Sequence, residues 1–177
     1  MTEFFKIGMA SIIGLAAMLS VTATRADFVV QFEEDAPKDR FIIENASACN
    51  IASGVLSVDL GGSKAGLIFD TARGGVGENV AQPFEVAAGA AFIPVVPRVL
   101  DGAQSVDVSI VGLTRHAAIW LTVDVDDSDT KGPMGVQMIA NSEIAGASVT
   151  LKIKDGERVT GTFGADGFVR LPLRRCS

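Results

Sequence analysis

"AAIWLTVDVDD", residues 117–127, decides the fold. Ile119, Leu121, Val123 and Val125 fall on one side of an extended chain, and Trp120, Thr122, Asp124 and Asp126 on the other. A period of two is the pattern of a strand with one buried and one wet face. Phe28, Val30 and Phe32 alternate in the same way with Val29, Gln31 and Glu33. So do Leu56, Val58 and Leu60 with Ser57 and Asp59, and Val106, Val108 and Ile110 with Asp107 and Ser109; Val149, Leu151 and Ile153 continue the pattern. Gly, Asp, Asn and Pro separate the runs. "AGLIFD" follows "GGSK" at hairpin distance, while "KDGE" and "GADG" are expected to fold the last three runs into an antiparallel meander. About ten strands and no amphipathic helix predict an all-β fold, an antiparallel β-sandwich of immunoglobulin-like type, with a jelly roll as the alternative. "ARGGVGENVAQP", residues 72–83, is glycine-rich and aperiodic and reads as a long loop between strands.

The first residues have a different character. "MTEFFK" precedes the apolar "IGMASIIGLAAMLSV", which is short for a bilayer span, and Thr24 and Ala26 then occupy the −3 and −1 places of a cleavage site. That order predicts a signal peptide at residues 1–26 and a single domain at 27–177, with Val21–Ala23 as a second possible cut. The mature protein is expected to be exported, periplasmic or extracellular, with no membrane insertion after cleavage. Of 21 acidic and 15 basic residues, Glu3, Lys6 and Arg25 go with the leader, which leaves a net charge of −7. An acidic surface opposes non-specific binding to nucleic acid or anionic lipid.

Cys49 and Cys176 are the two cysteines of the chain. In an oxidising compartment they are expected to form a disulfide, worth up to about 5 kcal/mol by loop entropy; two free thiols are the competing reading. Neither sits in a zinc or redox spacing.

Ingredients for catalysis are sparse. His116 is the sole histidine and tyrosine is absent, which removes most acid–base designs at neutral pH. No Gly-x-Ser-x-Gly elbow supplies a nucleophile, and "GGVG" lacks the Lys-Ser/Thr ending of a phosphate loop. Glu33, Glu34 and Asp70 offer a carboxylate pair only without specificity. The expectation is a protein that is not an enzyme.

The four aspartates Asp124, Asp126, Asp127 and Asp129 raise the question of a metal. An EF-hand needs ligands at positions 1, 3, 5 and 12 with Gly at 6; registers starting at Asp124 or Asp127 both fail. The remaining option is a looser calcium site at a sandwich end, against a strand terminus kept soluble by like charges. Trp120 on the same face is a candidate ligand-binding platform.

"DFVVQFEEDAPKDRFIIENASAC", "GVLSVDLGGSKAGLIFD", "QPFEV", "LTVDVDDSD" and "NSEIAGASVTL" together cover most of the expected mature chain. In these phrases the chain resembles small secreted bacterial proteins labelled "aggregation factor core", after the core protein of sponge aggregation factors. The resemblance implies an extracytoplasmic β-rich protein concerned with cell–cell or cell–matrix adhesion, calcium-dependent in the sponge system. It carries over no set of functional residues, and the chain departs from that system in being one short domain without repeats. Two function classes follow as expectations. One is a non-catalytic adhesion or aggregation module, calcium-assisted, contacting a protein or polysaccharide. The other is an envelope carbohydrate- or small-ligand-binding module.

Overall fold

The computed structural model describes residues 26–75, 81–127, 139–154 and 156–174. Nearly all of the expected leader, together with Asp129 and Cys176, lies outside the described residues. The strands are β1 (Ala26–Glu33), β2 (Asp39–Asn45), β3 (Ile51–Asp59), β4 (Leu67–Asp70), β5 (Glu85–Ala88), β6 (Ser105–Leu113), β7 (Ala118–Asp127), β8 (Ser148–Ile153), β9 (Arg158–Thr162) and β10 (Phe168–Leu173). Helix is confined, among the described residues, to two short 3-10 turns at Ala90–Phe92 and Asn141–Ile144. None is long and apolar enough to cross a membrane.

Every strand pair is antiparallel. The larger sheet runs β10-β1-β2-β7-β4, with β5 also on β7; the smaller runs β6-β3-β8-β9. The alternation read from the sequence becomes two faces. Phe28, Val30, Phe32, Ile119 and Val123 are fully buried, and so are Leu56, Val108 and Val149 of the smaller sheet. All belong to one core shared by both sheets. Phe41 is its aromatic hub, with ring centroids 5.2 Å from Phe32 and 6.4 Å from both Phe69 and Phe163. Each such side chain contributes about 1.5–3 kcal/mol, against roughly 0–1 kcal/mol for an exposed ion pair. Burial of the inward faces therefore dictates the layering.

Two expected connections differ. "AGLIFD" does not return as a hairpin on β3: β4 crosses to the larger sheet and pairs with β7, Leu67 opposite Asp127 through Asp70 opposite Asp124. The reason is visible in its burial, since all four residues of β4 are buried and fit no half-wet hairpin arm. The last three runs are not a meander either. β8 and β9 pair, but β10 leaves for the other sheet and pairs with β1. Gly161 allows that corner, because a Cβ there would lie 2.6 Å from Val169 and 2.9 Å from Leu171 of β10.

One edge of β7 has an unusual neighbour. Phe69 turns its N–H and C=O toward Ala103 and Gly102, so Ile68 and Asp70 face β7. β5 pairs farther along, Glu85 opposite Thr122. β4 and β5 thus read as one edge strand interrupted between Asp70 and Glu85; residues 76–80 of the predicted glycine-rich loop lie outside the described residues. Asp101 Oδ1 accepts the N–H groups of Thr71 (2.9 Å) and Ala72 (3.0 Å) and anchors the outgoing limb.

Candidate functional site

The outer face of the larger sheet is built by strand register. One row crosses four strands: Phe168 opposite Gln31, Gln31 opposite Ile42, Ile42 opposite Trp120. Trp120 is 41 % exposed and Phe168 36 % exposed. Three inter-strand spacings put the two rings about 14 Å apart. The adjacent row is polar, with Glu33 opposite Arg40, Arg40 opposite Thr122 and Thr122 opposite Glu85. The Arg40 guanidinium stands 5.3 Å from the centre of the Trp120 ring. It is held there by Glu33 at 3.5 Å and by a charge-assisted bond to Asp35. A stacked cation held by two carboxylates fixes the indole in one attitude.

Beyond Thr122 the same face turns acidic. Asp70 is fully buried and Asp126 is 5 % exposed, while Asp39, opposite Val123 and therefore on the inner face of this end of the sheet, is 4 % exposed. Gln82, on the limb returning to β5, donates from Nε2 to Asp124 Oδ2 at 3.1 Å. Asp39 opens β2; its Oδ2 accepts the Val125 N–H at 2.9 Å, extending the ladder one step beyond the first backbone pair of β2 with β7. Burial pushes the Asp39 carboxyl up to about 7, against the lowering effect of its bonds from Val125 and Asp35; Glu34 and Asp126 add to the rise. Lys38 crosses this end, bound to the Pro83 carbonyl at 2.9 Å and to Glu85 at 2.5 Å.

Asp124 and Asp126 share the outer face, whereas strand alternation places Asp127 on the other face, opposite Leu67. Asp126 Oδ1 accepts the Asp127 N–H at 2.8 Å, and Asp129 lies outside the described residues. Among the described residues no three acidic, histidine or cysteine side chains converge at metal-ligating distance.

His116 is exposed and occupies a left-handed conformation in the β6–β7 turn, φ 58°. An open groove of about 310 Å³ between Phe92, Val111 and Leu113 has no titratable side chain in its lining. Cys49 is half-buried on the β2–β3 connection, and no free cysteine is present among the described residues.

Arg40, Gln82 and Asp39 escaped the sequence reading as parts of a site. Asp70 was visible there only as one of three carboxylates offering an unspecific pair. Family models, curated proteins and solved structures yield no match to the chain.

Proposed function

We propose that the protein is an exported, non-catalytic adhesion module, periplasmic or extracellular, that contacts a polysaccharide of the cell surface or matrix through the outer face of its larger sheet. The observation that carries this is the row ending in Phe168 and Trp120, with the indole held by Arg40. Indole faces stack on the C–H faces of pyranose rings. The flanking guanidinium, carboxylates and hydroxyl of Arg40, Glu33, Glu85 and Thr122 suit a ligand dense in hydroxyl groups. A large aromatic held half-exposed by neighbours is also the anchor type on which interfaces concentrate binding energy.

Trp120 is the sole tryptophan and tyrosine is absent, so intrinsic fluorescence reports this face alone. Titration with solubilised envelope or matrix polysaccharide is expected to shift or quench it saturably, and Trp120→Ala is expected to abolish retention on the same polysaccharide. Unchanged emission together with equal retention of wild type and variant would remove the proposal.

The layers are inferred to form an immunoglobulin-like sandwich. What supports this is neighbour order: β1-β2-β7 followed by β4 and β5 has the sequence of an A-B-E-D sheet, and β3-β8-β9 that of C-F-G. The departures are β6, which precedes β7 in the chain yet lies beside β3, and β10, which extends the sheet past β1. The Cys49–Cys176 disulfide is proposed on similar grounds. β10 ends at Leu173 opposite Ala26, at the end of the sheet where β2 runs out toward Cys49. Thiol titration of the unfolded, unreduced protein is expected to find no reactive sulfur.

A further inference from the structure

The chain leaves the sheet edge after Asp70, opposite Asp124, and rejoins it at Glu85, opposite Thr122, two residues away on β7. Opposed residues of an antiparallel pair share a face, with Cβ atoms about 5 Å apart. Gln82 lies on the returning limb, its amide head held by the bond from Nε2 to Asp124 Oδ2. The residue is 5 % exposed. Its Oε1, fixed by the same planar amide, is buried and accepts no hydrogen bond from the described residues. A carbonyl oxygen withdrawn from water without a donor is unfavourable unless something electropositive meets it.

We propose that Asp70, Asp124 and Gln82 Oε1 hold a calcium ion that ties both limbs of the interrupted edge to β7. All three donors are hard oxygens and none is nitrogen or sulfur, the set that selects calcium or magnesium over transition metals. Calcium is preferred because its coordination is flexible, whereas magnesium demands octahedral geometry and dehydrates reluctantly. Water completes the shell, and the small donor set places the affinity in the weak class of extracellular modules. This set differs from the aspartate run of the sequence. Asp126 lies opposite Ile68, Asp127 is on the other face, and the third donor is an amide rather than a carboxylate. The proposal is independent of the saccharide face.

The test is calorimetric titration of the purified protein with calcium chloride, together with thermal melts in about 10 mM calcium and in chelator. A millimolar dissociation constant and a rise in Tm of about 3–6 °C are expected. Asp124→Asn, Asp70→Asn and Gln82→Met are each expected to weaken binding about tenfold or more, with far-ultraviolet dichroism unchanged. Absence of both heat and Tm shift in the wild type would overturn the site and leave a buried water as the partner of Oε1. So would variants that bind like the wild type, or loss of binding in Asp127→Asn instead. If Asp70→Asn fails to fold, the half-buried Asp124 position and the wild-type titration still decide.

Discussion

Two buried carboxamides sit at opposite ends of the β2–β7 ladder and are treated in opposite ways. Asn45 is fully buried. Its Nδ2 donates to the carbonyls of Cys49 (2.7 Å), Leu113 (3.0 Å) and Thr114 (3.1 Å), and its Oδ1 accepts from the N–H and hydroxyl of Ser47. It therefore fastens β2 of the larger sheet to the end of β6 of the smaller one, with every polar atom used. Gln82 uses its nitrogen on Asp124 and leaves its oxygen open among the described residues. A buried polar group that is fully satisfied by its own chain is architecture; one with an unused atom faces outward in its chemistry.

Replacing Asn45 tests that distinction most strongly. Asn45→Leu removes the amide that joins Ser47 to the carbonyls of Cys49, Leu113 and Thr114, and a loss of about 3 kcal/mol is expected from urea unfolding. A loss near zero would mean that solvent reaches this end and would dissolve the contrast.

The acidic end is expected to respond to pH. The folded carboxyl of Asp39 titrates at about 7 and its ordinary value is 3.8, so the folded chain holds this proton more tightly than the unfolded one. Its contribution is fully present below about pH 4, is lost progressively as the pH rises to about 7, and is constant above. The loss is on the order of 2–4 kcal/mol. Asp39→Asn is expected to flatten the stability profile between pH 4 and 7, whereas Asn45→Leu shifts the whole profile down without changing its slope. A slope unaltered in Asp39→Asn would place the titration elsewhere.

The smallest effect is expected at Gln82. In chelator, Gln82→Met loses one hydrogen bond but also removes a stranded oxygen, and stability is expected to change by less than about 1 kcal/mol. A cost equal to that of Asn45→Leu would make Gln82 a second structural clamp and sharpen the comparison in the other direction.

Strand identity was legible because it is a local property. Ile119 to Val125 could alternate only as an extended segment, and the residues on the buried side are those expected from position 117 onward. The partners of strands were less legible. "LIFD" carries no period, so nothing in it separates a hairpin arm from a segment buried on both faces. "GADG" turns the chain whether the next run joins β8–β9 or crosses to β1. At the site, Trp120 and Asp124 were visible as chemistry on a wet face. Arg40, eighty residues earlier in the chain, meets Trp120 only because β2 and β7 pair in one register. Gln82 gave no signal, since an isolated glutamine in a glycine-rich loop resembles any solvated loop residue.

Composition and two-residue periodicity, read alone, determined that this chain makes antiparallel strands with one apolar face each, because alternation is set by backbone geometry within a few bonds. Tertiary structure alone decided which strands neighbour one another and that an interrupted edge brings Asp70, Gln82 and Asp124 to one point. Those choices follow from burying the apolar faces of both sheets against each other, a condition that only the assembled chain can satisfy.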